Sequence, residues 1–307
     1  MDNLTHSLAG ALLGQMGLKR LTGRAMATLV IAANIPDIDA IATVLVTESL
    51  ALRRGITHGP PAMLLLPPLL TALVLAWDRW RPAASGPPVR PLALLLLAYL
   101  GTLTHPALDW LNSYGVRFLE PFSSRWFYGD ILFIIDLWIW MALGAGLILS
   151  RRRERAGRSD WRLPALTAGG AIILYIAANG LITADAEAAT NDQLDRRAVR
   201  SRQVVAAPAP LAFWNRQILW RSTGVYGDGS YRLGQGVSLG STRPTRLDDA
   251  RLAAVRDRPD VAAFLFWSRM PVVVERDGQA YLGDQRFLSR LTRANFLIPL
   301  DNAGPAP

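Results

Sequence analysis

The chain changes character along its length. Up to about residue 183, long apolar runs alternate with short polar or basic turns; beyond it, charged residues and prolines interrupt every run. Four runs are long enough, or nearly so, to cross a bilayer, which takes roughly 20 residues as a helix. They are 60–77 ("PPAMLLLPPLLTALVLAW"), 91–111 ("PLALLLLAYLGTLTHPALDWL"), 130–149 ("DILFIIDLWIWMALGAGLIL") and 163–183 ("LPALTAGGAIILYIAANGLIT"). Two weaker runs precede them. Residues 7–18 are too short to span, and 25–47 is broken in its middle by "NIPDID". Leucines all round these segments favour lipid over the interior of a soluble core. The pattern predicts a mainly α fold: a polytopic transmembrane helical bundle over 1–183, followed by a small extracytoplasmic α+β domain over 184–307.

Within the second part, "RQVVAAP" reads as a strand and "RQILWRSTGVYGDGSYRLG" as a hairpin turning at "GDGS". "TRLDDARLAAVRDRPDVAAFLFWS" reads as one helix capped by Thr245, with Asp248 and Asp249 in its first turn. "MPVVVERDGQAYLG" reads as a second hairpin turning at Asp277-Gly278.

Charge orients the runs. The linker 150–162 holds six arginines against two acids, and 78–90 holds three against one. Two spans separate these linkers, so both fall on the cytoplasmic side, with "LKRLTGR" (18–24) beside them. Residues 48–59, 112–129 and the domain after 184 are then placed outside. The net charge of +9 is explained by this topology, and no nucleic-acid-binding element is visible. The opening "MDNLTHSLAG" has an acid and no basic region ahead of its apolar residues, unlike a signal peptide. His6 is therefore expected in the mature protein.

The chemistry lies in the apolar half. Ionisable groups in membrane segments are costly unless paired, which makes them functional candidates. This half carries His6, Asp37, Asp39, His58, His105 and Asp109, including all three histidines of the chain. The topology brings these six to one depth, near the outer face. His105 and Asp109 are four apart and share a helix face. Asp37 and Asp39 would diverge on a regular helix, and Pro36 marks a start or break that turns both inward. The chain has no cysteine, so any metal rests on imidazole and carboxylate, ligands that suit Zn²⁺ and also Mn²⁺ or Fe²⁺. Six ligands exceed one tetrahedral zinc and match two ions sharing a carboxylate. Each residue alone has a plainer reading: a solvated terminus for His6, a helix cap for the Asp37–Asp39 pair, a loop residue for His58, an intramembrane ion pair for His105 with Asp109.

"NLTHSLAG" (3–10), "NIPDID" (34–39), "RGITHG" (54–59), "HPALDWLNSYGVR" (105–117) and "RWFYGD" (125–130) together resemble the membrane-bound metal-dependent hydrolase family typified by YdjM. The likeness covers about residues 1–180 and implies a polytopic inner-membrane protein with a hydrolase-like metal site. A fainter similarity, through His105 and Asp109, is to zinc-dependent phospholipase C and P1-type nucleases. This chain lacks their later histidines.

These observations predict metal-assisted hydrolysis of a phosphoester, since a bound ion brings the pKa of its water to about 7. Arg117 and Arg125 are candidates for gripping phosphate, and Asp130 for orienting Arg125 or a histidine. Asn34 and Asn112 are further outer-sphere candidates. Aromatic residues from Trp110 to Trp140 suit a membrane interface. The expected substrate is a phospholipid or lipid-linked phosphate. The rivals are a metal transporter and a scaffold braced by metal; Asp136, set inside its run, favours the former.

Overall fold

The computed structural model of the chain describes residues 1–41, 49–82, 86–288 and 296–301. Residues 42–47, the distal part of the broken run 25–47, lie outside the described residues. Contacts divide the chain into two units. One comprises Met1–Asp39 and Arg54–Gly180, the other Ala40–Arg53 and Leu181–Pro307.

The first unit is helical. Helix α1 (Asn3–Gln15) starts where the Asp2 carboxylate accepts the Leu4 and Thr5 amides at 3.0 and 3.1 Å, satisfying two donors that a helix start leaves unpaired. Helix α2 (Ala25–Ala32) follows, then a 3₁₀ stretch, Ile35–Ile41. Helices α3 (Pro60–Trp80) and α4 (Pro91–Trp110) both open on proline, which costs nothing there because a first-turn amide has no helical partner. Helix α5 is Leu137–Arg155, and α6, Leu163–Arg196, carries the chain from the first unit into the second. Among the described residues, α3, α4 and α6 are long and apolar enough to cross a membrane. They leave Leu65, Leu69, Leu92, Leu96, Ile173 and Leu174 exposed, as a lipid-facing surface requires.

The run 130–149 departs from expectation. Residues 130–136 are irregular, Asp130 has a φ of 55°, and the helix begins only at Leu137. Asp136 is its N-cap, accepting the Trp138 and Ile139 amides at 3.0 and 3.1 Å. It is thus a cap and not a polar residue inside a span. Because α5 ends on "RRRER", it is not among the three candidate spans.

Glycine sets the helix approach. A Cβ on Gly10 would lie 2.6 Å from the Leu29 carbonyl oxygen, and one on Gly101 would lie 2.6 Å from the Ala32 Cβ. With side chains that small, α1 and α4 both close on α2. Leu29, Ala32, Leu94 and Ala98 are buried in the result. This approach brings the end of α2 level with the last two turns of α4, where His105 and Asp109 lie.

The second unit is α+β. Strands β1 (Gln203–Pro208), β2 (Asn215–Arg221), β3 (Val225–Arg232) and β4 (Gly236–Pro244) form an antiparallel meander. Ile182, Ala186 and Leu194 of α6 cover it, packing with Ile218, Trp220 and Tyr231. The first hairpin turns at Ser222–Gly224, where Gly224 has a φ of 72°, and not at "GDGS". Those glycines are inside β3 for a packing reason: a Cβ on Gly227 would lie 2.4 Å from the Trp220 indole. Two short helices, α7 (Ala250–Ala254) and α8 (Pro259–Trp267), replace the single helix expected. Asp249 caps the first through the Arg251 amide, and Pro259 begins the second. Strands β5 (Pro271–Arg276), β6 (Gln279–Asp284) and β7 (Leu297–Pro299) form a second sheet. Its hairpin turns at Asp277-Gly278, both with positive φ, as the sequence predicts. The single turn Ser49–Leu52 packs against α8.

Candidate metal centre

Asp109 is the hub. Its carboxylate, 1% exposed, is met by three imidazoles: His6 Nε2 is 3.3 Å from Oδ1, while His58 Nε2 and His105 Nε2 are 3.4 and 3.6 Å from Oδ2. Asp37 Oδ1 is 3.5 Å from His105 Nε2. Asp37, His58, His105 and Asp109 each offer a ligand atom, and these atoms all lie within 4.8 Å of one another. His6 stands beside this quartet, its ring stacked on that of His105 at 3.8 Å.

The far side of each quartet imidazole is tied down. His105 Nδ1 is 2.7 Å from the Ala33 carbonyl, which only a protonated Nδ1 can bond, so the neutral tautomer compatible with this contact has its lone pair on Nε2. His58 Nδ1 is 3.0 Å from Thr57 Oγ1 and 3.6 Å from Asp39 Oδ2. Asp39 Oδ2 also accepts the Thr57 hydroxyl at 2.9 Å and the Arg54 amide at 2.7 Å. The 3₁₀ path explains the split between the two aspartates. At three residues per turn, positions two apart face different ways, so Asp37 turns to His105 and Asp39 to the outer nitrogen of His58. Asp39 therefore supports a histidine in place of joining the quartet.

Arg54 is the functional residue the sequence reading passed over. It is buried, and its Nε lies 2.9 Å from Asp109 Oδ2. Nη1 donates to Asn112 Oδ1 at 3.1 Å, and the guanidinium sits 4.7 Å over the Tyr114 ring. The Met1 amino group also bonds Asp109 Oδ1. Asn112 thus acts through Arg54, while Asn34 bonds Ser7 and Val30 of its own surroundings. The loop after α4 is fastened here: the Arg117 amide donates to the Arg54 carbonyl at 2.9 Å. Gly59 admits the loop, since a Cβ there would lie 1.9 Å from the Glu120 oxygen.

The three remaining candidates are more distant in role. The buried Arg117 guanidinium donates to Glu120 at 3.1 Å. Arg125 is exposed, 5.2 Å over the Phe127 ring, and no hydrogen bond or ion pair among the described residues joins it to the quartet. Asp130 is buried at the start of the irregular stretch before α5.

The family comparison decides the wider identity. The model of the YdjM inner membrane protein family matches residues 1–186. The chain belongs to the YdjM inner membrane protein family. It is accordingly a membrane protein, and the matched region holds every residue of the quartet. No curated protein and no solved structure matches the chain.

The donor set of this YdjM-family member fits a divalent cation. His6 Nε2, Asp37 Oδ1, Asp39 Oδ1, His58 Nε2, His105 Nε2 and Asp109 Oδ2 are buried without a hydrogen-bond partner among the described residues. Each such group left unsatisfied costs about 1–3 kcal/mol. With Asp39 turned to the outer nitrogen of His58 and Asp109 Oδ2 also ion-paired to Arg54, the four on His6, Asp37, His58 and His105 are better explained as ligands than as defects.

Proposed function

We propose that this chain is a membrane-embedded metal-dependent hydrolase that cleaves a phosphoester of a phospholipid or lipid-linked substrate at the outer face of the membrane. In this reading α5 also crosses the membrane, and the arginine-rich linkers then support an extracytoplasmic second unit. The observation that carries it is the convergence of three unpartnered Nε2 atoms on the Asp109 carboxylate, two of them fixed from behind. Such second-sphere anchoring is what metal-binding histidines need.

Zinc, manganese or iron all suit these ligands. A bound divalent ion supplies water with a pKa near 7 and polarises a phosphoryl oxygen. Asp109 would hold such an ion together with His6 on its Oδ1 side, or with His58 and His105 on its Oδ2 side. The chain's own residues do the rest. Ala33 and Asp39 hold the histidine tautomers; Arg54 orients Asp109; Arg117, fastened beside Arg54, supplies positive charge near an anionic substrate.

A conduction pathway is less well supported. Between His6 and Gln15 the buried positions of α1 are Gly10, Leu12 and Gly14, so α1 carries no polar residue onward from the cluster until Gln15.

The test is metal content of the purified protein in detergent, read together with hydrolysis of a panel of lipid phosphates. The expected result is stoichiometric divalent metal and turnover, both lost in His105→Ala with the helical signal kept. A folded protein that takes up no divalent ion would overturn the proposal.

A further inference from the structure

The second unit contains a cleft of about 450 Å³ that plays no part in the metal centre. It opens between β5 and the end of β4, and three arginines line it: Arg243, Arg246 and Arg276. Arg246 is paired, its Nη1 donating to Glu275 at 2.9 Å. Arg243 is engaged as well, donating to Ser241 Oγ at 3.0 Å and lying 3.6 Å from Asp228. Arg276 is half-buried and has neither an ion pair nor a hydrogen bond from its side chain among the described residues. Tyr226 lines the same cleft. It is 5% exposed, and its hydroxyl has no partner among the described residues. Val273, Val274, Leu288 and Leu297 add apolar lining, and Glu275, the partner of Arg246, is the one acid in it.

A buried phenol and a half-buried guanidinium, both unpartnered, in one cleft call for an anion. The number of donors narrows its kind. One guanidinium fork saturates a carboxylate, whereas a tetrahedral phosphoryl group accepts from several directions and carries more charge. The apolar lining suits a ligand with an organic body behind its charge. We infer that this cleft binds a phosphoryl group borne on an apolar body, the chemistry of a lipid phosphate headgroup or of a small organic phosphate. The inference does not depend on the metal centre being catalytic.

The test titrates the full chain, in an uncharged maltoside detergent with chelator present, by calorimetry. The probes are dihexanoyl phosphatidic acid, inorganic phosphate and octanoate. Saturable binding of the phosphatidic acid is expected. Arg276→Gln should weaken it about tenfold to a hundredfold and Tyr226→Phe about three- to tenfold, with circular dichroism unchanged. His105→Ala should leave it unaltered. Equal affinity for inorganic phosphate would uphold the phosphoryl site and make free phosphate its source. Octanoate binding as tightly as the phosphatidic acid would overturn the assignment. So would affinity that survives Arg276→Gln and vanishes in His105→Ala, because the ligand would then sit at the metal centre.

Discussion

Replacing Asp109 by asparagine keeps the shape of the hub and removes its charge. Arg54 Nε lies 2.9 Å from Oδ2 with both side chains almost fully buried. At an effective dielectric of 20, a pair at that distance interacts by about 6 kcal/mol. The cost of removing one partner of a buried pair is about 3–5 kcal/mol, because the other charge stays buried alone. That is a large share of a typical stability of roughly 5–15 kcal/mol. Asp109→Asn should therefore lose bound metal and unfold at markedly lower temperature. The two losses are separable. Arg54→Met removes one of the two stranded cations, the Met1 amino group being the other, so the double variant Arg54→Met with Asp109→Asn should recover part of the stability while remaining free of metal. The assay is metal analysis by mass spectrometry beside thermal unfolding in detergent, for the wild type, both single variants and the double. Wild-type metal content in Asp109→Asn would refute the hub assignment. A double variant no more stable than Asp109→Asn would refute the charge argument.

Three further outcomes follow from the geometry. Asp39→Asn should weaken metal binding about 10- to 100-fold without abolishing it, as expected for a residue that orients His58 from behind; a competition titration with a zinc chelator measures this. Gly101→Val places atoms where a Cβ would already lie 2.6 Å from Ala32 and 3.0 Å from the Leu29 carbonyl. It should destabilise the bundle by about 1–3 kcal/mol or more, read as a lowered unfolding midpoint. In the second unit, burial raises the Asp284 carboxyl, but the Arg286 guanidinium, the Ser268 hydroxyl and the Met270 amide outweigh it and hold it at about 2. A depressed folded-state value means that this contribution, about 2 kcal/mol, is complete above pH 4 and is lost as pH falls from about 4 to about 2. Tryptophan fluorescence of Asp284→Asn should show a flatter pH dependence across that window than the wild type.

Much of the centre is written locally. The four-residue spacing of His105 and Asp109 is enough to put both on one face of α4, and the scarcity of ionisable groups in apolar sequence marks the rest. Arg54 is harder to see, because "ALRRG" next to a membrane span looks like a solvated basic turn. Its burial depends on the Asp109 carboxylate, Asn112 and the Tyr114 ring, all more than fifty residues away. Position relative to the helical path matters as well: the 3₁₀ stretch separates Asp37 from Asp39, which composition alone cannot do. In the second unit, "GDGS" carries the residues of a turn but serves as strand, since Gly227 makes room for Trp220. Asp277-Gly278 faces no such competing demand, and there the local signal holds. The apolar run 130–149 hides a helix start because hydropathy does not register the Asp136 cap.

The assignment of Ala40–Arg53 to the same unit as Leu181–Pro307 bears on how the protein can be dissected. A fragment beginning at residue 181 would be missing the turn that rests on α8, and a fragment ending at 180 would carry that turn without its support. Expression of the halves as separate polypeptides would leave one with an uncovered face and the other with a stray insertion. Recovering the first part without the insertion takes excision of 40–53 with a short bridge from Asp39 to Arg54, whose amide already donates to the Asp39 carboxylate at 2.7 Å.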